Sequence, residues 1–182
     1  MILLLQYTLI FASVLILVAL GGCFAEHSGV INLGLEGIMI MGALGGALTM
    51  RYVPNTAPAI VMLLAVIVVS ALVGMVYSCL LAVASINFKA DQTLVGTALN
   101  LLGTAGATVI VKAINTAANP DDVSSIVQYG GAKSALLVSI GSFEFNWFML
   151  VAFIALVTAY VALYKTRFGL RLMACGEHPQ AA

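Results

Sequence analysis

The sequence predicts an all-α protein, a polytopic transmembrane helical bundle of about five spans. Residues of the AVILMFWYC set make up 63% of the 182 residues, and charged residues make up 8%. Soluble domains carry about 25% charged residues, so this chain has too few to cover a water-facing surface. The same composition excludes disorder, because disordered segments are rich in charge and poor in apolar residues. Backbone groups in lipid must be paired within their own segment, so the apolar stretches are predicted to be helices.

The positions of the charged residues divide the chain into spans. A helix needs about 20 mostly apolar residues to cross the hydrocarbon core, and several uncharged stretches reach that length. The second predicted span is unusual because it contains Asn32 and Glu36. The predicted spans cover residues 2–22, 30–50, 57–83, 93–111 and 145–164.

The connections between the spans differ in length. Residues 51–58 are predicted to form a short turn, and residues 85–92 are predicted to form a polar loop. The long connection, residues 113–144, contains the turn signal Asn-Pro-Asp-Asp at 119–122. Residues 134–143 are apolar but too short to span, which predicts a re-entrant or interfacial segment.

A basic cluster after the last span predicts the orientation of the chain. Lys165, Arg167 and Arg171 are expected on the cytoplasmic side. Counting back through the five spans places the N-terminus outside. If residues 134–143 contain another crossing, the N-terminal half takes the opposite orientation.

Glu36 lies in the segment EHSGVINLGLEG, residues 26–37. A carboxylate within a membrane costs roughly 2.5–3.5 kcal/mol on insertion scales, so it faces protein or a water-filled cavity. Asn32 precedes Glu36 by four residues, which predicts a shared helical face. Gly42 and Gly46 have the spacing of small residues at a helix-packing contact. Three interpretations of Glu36 remain open: bonding to a neighbouring helix, lining a translocation path, or proton coupling.

A second segment, residues 91–103, begins the fourth span. Asp91 lies in the first turn, where the helix dipole favours an anion. Gln92, Gly96 and Asn100 follow at intervals of four and form a polar and small-residue stripe, and Gly103 is a predicted helix-packing residue. The stripe is interpreted as a face toward a neighbouring helix. Hydrogen bonding to a polar solute is the alternative.

The third segment, residues 165–180, is basic and amphipathic. Phe168, Leu172 and Cys175 fall at i, i+4 and i+7, which predicts a short helix. Gly176 is predicted to end that helix, and Pro179 to prevent it from resuming. On the residues alone, this segment is interpreted as an anchor on the lipid headgroups.

The sequence lacks the motifs that are typical of several functional classes. The chain has no GxxxxGK[ST] motif, so it contains no P-loop for ATP. Its three cysteines are far apart and form no CxxC, so neither a disulfide framework nor a metal site is predicted. The net charge is zero, which gives no reason to expect binding to nucleic acid.

Together the three segments resemble the nucleoside-type permease subunits of bacterial ABC importers. These subunits belong to the larger family of branched-chain amino acid and simple-sugar permeases. Residues 26–37 resemble the first signature of the group, and residues 91–102 resemble its next block. Residues 166–171 and 176–179 resemble its cytoplasmic coupling segment. The resemblance covers nearly the whole chain, with the segments in the expected order.

The resemblance implies a single membrane domain, 1–182, in a bacterial cell membrane. The coupling segment, 165–182, would be incomplete, because members of the group are longer and continue with further spans. This chain is therefore expected to be the N-terminal part of a permease. The implied partners are an ABC ATPase subunit, a second permease subunit, an extracytoplasmic solute-binding protein and the lipid bilayer. The chain would then be no enzyme and would hold no cofactor, since ATP is hydrolysed by the partner.

The resemblance also assigns candidate roles to residues. The candidates for the substrate path are Asn32, Glu36, Gln92 and Asn100. The candidates for coupling to the ATPase are Thr166, Phe168, Gly169, Arg171, Gly176 and Glu177, which replaces the interpretation as a plain anchor. The sequence of residues 29–37 resembles that of nucleoside permeases more than that of permeases for sugars or amino acids. The alternative function is a secondary transporter or channel fragment with Glu36 as its ion or proton site.

Overall fold

The computed structural model describes residues 2–54, 57–127, 137–140 and 143–178. These residues are mainly helical, which confirms the predicted fold class, and they add one short β-hairpin. The strands are β1 (Leu137–Ile140) and β2 (Phe143–Asn146), which pair antiparallel. The helices are α1 (Ile2–His27), α2 (Leu35–Tyr52), α3 (Ala59–Ile86), α4 (Gln92–Ala118), α5 (Trp147–Lys165) and α6 (Arg167–Glu177).

Four of the described helices are long and apolar enough to cross a membrane. They are α1, α3, α4 and α5. Large apolar side chains such as Phe11, Val76 and Phe153 are exposed on them, as expected for surfaces that face lipid. The second predicted span corresponds to α2, which is shorter and carries Glu36 in its first turn and Arg51 in its last.

The start of α2 differs from the prediction. The span was predicted over residues 30–50, but the helix begins at Leu35. Gly29 has a φ of +80° and redirects the chain after α1, because glycine adopts this left-handed conformation at little cost. Asn32 therefore lies before the helix, and the prediction that Asn32 and Glu36 share a helical face is wrong.

The end of α6 also differs from the prediction. Gly176 was expected to stop the helix, but α6 continues through it to Glu177. His178 is the C-cap, and its N–H donates to the carbonyl oxygen of Ala174 at 3.0 Å. A residue before proline disfavours the helical conformation, so Pro179 in the sequence accounts for the end at His178.

The predicted re-entrant segment is described only in part. Residues 134–136, 141 and 142 lie outside the described residues. Residues 137–140 and 143 belong to the hairpin strands, so this described portion is extended.

One compact unit is built from residues 1–32 and 137–182. Here α1 packs along α5, and α6 contacts both helices. The ring of His27, the last residue of α1, meets the ring of Tyr164 edge to face, with the centroids 6.2 Å apart. Tyr164 lies at the end of α5, so the C-terminal ends of the two helices meet. Consequently, α1 and α5 run in the same direction.

The second compact unit is built from residues 33–136. Here α2 packs against both α3 and α4. One buried cluster contains Leu44, Ala107 and Val111, and another contains Tyr77, Leu81 and Leu99. The organisation of residues 1–182 as a single membrane domain stays a prediction, as does the boundary of the coupling segment at 165.

Candidate functional site

Asn100 joins α4 to the beginning of α2. Its Oδ1 accepts a hydrogen bond from the N–H of Gly37 at 2.8 Å, and its Nδ2 donates to the carbonyl oxygen of Leu33 at 2.8 Å. The first N–H groups of a helix have no partner within the helix. The N-cap residue of α2, Gly34, provides no side-chain bond, so Asn100 provides the cap from a different helix.

Glycines allow the backbones of α2 and α4 to meet around this contact. A Cβ added to Gly37 would stand 2.6 Å from the carbonyl oxygen of Leu99. A Cβ on Gly103 would stand 2.8 Å from the Cα of Gly37, and one on Gly96 would stand 2.9 Å from the nitrogen of Gly34. These distances are shorter than real Cβ contacts, so the two helices can pack this closely only without side chains at these positions.

The contact between α2 and α3 also depends on small residues. A Cβ on Gly46 would stand 2.6 Å from the Oγ of Ser70, and one on Gly42 would stand 3.3 Å from the carbonyl oxygen of Ser70. Both glycines are buried. The hydroxyl of Tyr77 on α3 donates to the carbonyl oxygen of Leu99 on α4 at 2.7 Å, which fastens α3 and α4 together.

The predicted path residues do not form one cluster within a unit. Asn32 belongs to the first unit, whereas Glu36, Gln92 and Asn100 belong to the second. Glu36 is exposed in the first turn of α2 and is the neighbour of Gly37, which Asn100 binds. Gln92 starts α4, two helical turns before Asn100, or about 12 Å along the axis. Within the second unit, Asn100 and the turn that carries Glu36 are therefore brought together.

A second polar contact joins the other ends of α2 and α4. Nη1 of Arg51 donates to Oδ1 of Asn115 at 2.7 Å, and Asn115 is only 2% exposed. Nδ2 of Asn115 donates to the carbonyl oxygens of Ile126 at 2.8 Å and Ser124 at 3.1 Å. One buried amide thus holds the segment after α4 against the end of α2.

Sequence reasoning missed Asn115, although a signal was present. The stripe of Gly96, Asn100 and Gly103 continues at helical spacing through Ala107, Val111 and Asn115, all of which are buried except the partly buried Asn100. Extending the stripe past the first three turns of α4 would have found Asn115. Asp91 is the N-cap of α4, where its Oδ1 accepts from the N–H of Thr93 at 2.8 Å.

Asp122 lies in the same segment, outside the predicted spans. Hydrogen bonds from the side chain and backbone of Ser124 lower the pKa of the Asp122 carboxyl, and the positive charge of Arg51 lowers it further. The Asp122 carboxylate accepts the N–H of Ser124 at 2.9 Å. Ser124 therefore connects this carboxylate to the buried amide of Asn115.

Thr166 and Gly169 build the corner between α5 and α6. The hydroxyl of Thr166 donates to the carbonyl oxygen of Ala162 at 2.5 Å and accepts from the N–H of Gly169 at 3.4 Å. A Cβ on Gly169 would overlap the carbonyl oxygen of Leu163. These two predicted coupling residues are therefore occupied in shaping the corner that orients α6.

Gly176 brings the other end of α6 against the end of α1. A Cβ on Gly176 would stand 2.5 Å from the carbonyl oxygen of His27 and 3.0 Å from the nitrogen of Gly29. The Nδ1 of His27 donates to the carbonyl oxygen of Cys23 at 2.7 Å. Two glycines therefore let α6 rest on the turn after α1, a role for Gly29 that sequence reasoning missed.

The other predicted coupling residues lie on the exposed surface of α6. The side chain of Phe168 is 59% exposed, and Arg171 and Glu177 are exposed as well. Leu170 is also exposed, so apolar and basic side chains stand together on this short helix. The six predicted coupling residues thus divide into three that position α6 and three that it presents to its surroundings.

No metal site is formed by the part of the chain that the structure describes. Within that part, no group of three or more His, Cys, Asp or Glu side chains could hold a metal ion. The described cysteines, Cys23, Cys79 and Cys175, are free thiols.

Comparison with known proteins gives one family match, over residues 4–182, to the branched-chain amino acid transport system permease component. A guanosine ABC transporter permease, NupQ of Bacillus subtilis, is 38% identical over 181 residues. A nucleoside ABC transporter permease, NupC of Lactococcus lactis, is 34% identical over 177 residues. A putative glucose ABC transporter permease, TsgC13 of Haloferax volcanii, is 31% identical over 190 residues.

The matches cover nearly all of this chain but only part of each relative. They cover 96% of this chain and 56% of NupQ and of NupC, and 98% of this chain and 53% of TsgC13. The chain therefore spans about half the length of these relatives. No solved structure matches it significantly.

Proposed function

Because the chain belongs to the family of branched-chain amino acid transport system permease components, we propose that it is part of the permease of an ABC importer for nucleosides. It is a multi-pass membrane protein, with four described helices suited to crossing a membrane. The observation that carries the nucleoside assignment is the match to a guanosine and a nucleoside permease along 96% of the chain.

The proposal includes partners and excludes catalysis by this chain. An ATPase subunit would hydrolyse ATP, a second permease subunit would complete the pathway, and an extracytoplasmic solute-binding protein would deliver the nucleoside. The chain itself would be no enzyme and would need no cofactor. The absence of a P-loop motif from the sequence supports this division of labour.

Coupling to the ATPase is proposed for α6. Phe168, Arg171 and Glu177 would contact the ATPase, since they are exposed on a short helix after a span. Thr166, Gly169 and Gly176 would hold α6 at its angle, because their contacts lie at the corner with α5 and at the turn after α1. The candidates for the solute path remain Asn32, Glu36, Gln92 and Asn100.

Uptake of labelled solutes tests the substrate assignment. The full-length gene and its neighbouring transporter genes are expressed in cells, and uptake of guanosine, ribose and leucine is compared. We expect guanosine uptake that stops when ATP is depleted and continues when the proton gradient is dissipated at constant ATP. Uptake that follows the proton gradient would instead favour a secondary transporter with Glu36 as the ion or proton site. Uptake of ribose or leucine alone would contradict the nucleoside assignment.

Variants of α6 test the coupling assignment. We expect Phe168→Ala and Arg171→Glu to reduce uptake at least about tenfold while the permease remains in the membrane, because both side chains would leave the ATPase contact. Cys175→Ser, an exposed position on the same helix, serves as the matched control and should transport normally. Normal uptake in both test variants would show that α6 does not couple.

A further inference from the structure

We propose that Asn100 is a positioning residue, which fixes the beginning of α2 and with it the position of Glu36. The inference specifies how the proposed path is built, so its meaning for transport rests on the proposed function. The contact itself is independent of transport. It consists of two hydrogen bonds of 2.8 Å between one side chain of α4 and the backbone before and within the first turn of α2.

The side-chain amide of Asn100 is used by these bonds. Its Oδ1 accepts from Gly37 and its Nδ2 donates to Leu33. Both the oxygen and the nitrogen of the amide are thus hydrogen-bonded to backbone groups of the second unit. A contact with a transported solute would compete with the cap of α2, whereas a positioning role uses both ends at once.

The surrounding packing makes this contact specific. Gly96 and Gly103 lie about one turn before and after Asn100 on α4, and both are buried against the backbone of residues 33–37. Because side chains are absent at these positions, the amide can reach the backbone of α2. Asn100, which lies between two glycines, therefore caps α2 from the neighbouring helix α4. The N-cap residue of α2 itself, Gly34, makes no side-chain hydrogen bond.

The consequence falls on Glu36. Glu36 is exposed and immediately precedes Gly37, whose N–H Asn100 holds. If the cap is lost, the first turn of α2 opens more often, since helix ends without caps fray first. The carboxylate of Glu36 would then lose its defined position, although α2 and α4 would remain packed by their glycines further along.

Thiol labelling tests this without reference to transport. In a full-length permease whose native cysteines are replaced by serine, Glu36→Cys reports on the first turn of α2, and Ala43→Cys, exposed two turns later, reports on the rest of the helix. We expect Asn100→Leu to raise the labelling rate at position 36 by roughly three- to tenfold, the effect of losing one helix cap. Labelling at position 43 should not change.

Two further variants complete the experiment. Asn100→Asp keeps the acceptor for Gly37 but, when ionised, has no donor for Leu33, so its labelling rate at position 36 should lie between those of the wild type and Asn100→Leu. Thr97→Val on the same helix removes only a hydroxyl that bonds to Leu94 within α4, and it should label like the wild type.

The outcomes separate this inference from the proposed function. Equal labelling at position 36 in the wild type and in Asn100→Leu, or an equal rise at positions 36 and 43, would overturn the positioning role whatever the solute is. Changed labelling at position 36 alone, in a permease that takes up no nucleoside, would support the positioning role and contradict only the proposed substrate.

Discussion

Gly169 shows how a single residue determines the direction of a whole helix. The chain turns sharply at Thr166 between α5 and α6, and the backbone of α6 passes against the carbonyl oxygen of Leu163. Any side chain at position 169 would overlap that oxygen. Gly106, in the middle of α4, has nothing within 4 Å of an added Cβ. A side chain is therefore excluded at position 169 and accommodated at position 106.

We expect Gly169→Ala to lower the stability of the permease by about 1–3 kcal/mol, the usual cost of overpacking. Gly106→Ala should be neutral or stabilise by up to about 1 kcal/mol, because alanine is the better helix former. Thermal unfolding of the purified permease in detergent measures both. Equal melting temperatures for the two variants would contradict the tight corner.

Asn115 is the buried polar residue on which the end of α2 depends. We expect Asn115→Leu to destabilise by about 1–3 kcal/mol, because it leaves the guanidinium of Arg51 and the carbonyl oxygen of Ile126 without this partner. Asn87→Leu, at an exposed position after α3, should change stability by less than about 0.5 kcal/mol. The same unfolding measurement applies. A loss in the control as large as in Asn115→Leu would refute the buried role.

At the scale of elements, the segment after α4 is held by polar groups at both of its sides. Thr116 donates to the carbonyl oxygen of Asp122 at 3.2 Å, and Asn115 donates to residues 124 and 126. Val127 packs against the cluster of Leu44, Ala107 and Val111. The segment after α4 is thus positioned more by side chains of α4 than by its own backbone hydrogen bonds. We therefore expect its conformational order to change when its charged groups gain or lose a proton.

The lowered pKa of Asp122 gives this segment a pH dependence. Because the folded state favours the ionised carboxylate, its contribution to stability is present above the unfolded pKa of about 3.8. That contribution is lost as the pH falls through the lower folded value. We expect amide exchange at Ser124, normalised for the intrinsic effect of pH, to lose protection in acid. Asp122→Asn should show no such acid transition, and an identical pH profile in that variant would contradict the assignment.

At the scale of the whole molecule, the first unit constrains the membrane topology. The ends of α1 and α5 meet at His27 and Tyr164, and α6 rests on the turn after α1. The beginning of α1 and the basic α6 are therefore expected on opposite sides of the membrane. The positive-inside rule predicts Lys165, Arg167 and Arg171 on the cytoplasmic side. The N-terminus is then expected outside, the same orientation that the count of five spans predicts.

Cysteine accessibility measures this topology. In cells, an impermeant thiol reagent should label Leu3→Cys and should label Arg167→Cys only after the cells are opened. Both variants are made without the native cysteines, and the cysteine-free chain is the background control. Labelling of both positions from the same side would mean that α1 and α5 do not cross in the same direction.

The sequence by itself determined the class of the protein, the approximate location of the helices that the structure describes, and the family. Long apolar segments are buried in lipid, where every backbone group must be paired. They therefore form helices, which pair these groups within the segment. The segments with Glu36 and Asn100 were also recognisable, because charged and amide side chains are unusual in apolar helices. The segment with Gly169 was recognisable as a basic, amphipathic stretch after a span. The interpretation of the α4 stripe as a helix-facing surface needed only its spacing.

Tertiary structure alone decided where the helices begin and end and which polar groups meet. The start of α2 at Leu35 depends on a cap supplied by Asn100, which binds Gly37 from sixty-three residues away along the chain. No local pattern contains that information. At Gly176, α6 continues and closely approaches the turn at Gly29. Gly176 therefore permits a packing contact and does not end the helix. Local propensity is weak compared with such contacts, so the packing of distant segments determines the final geometry.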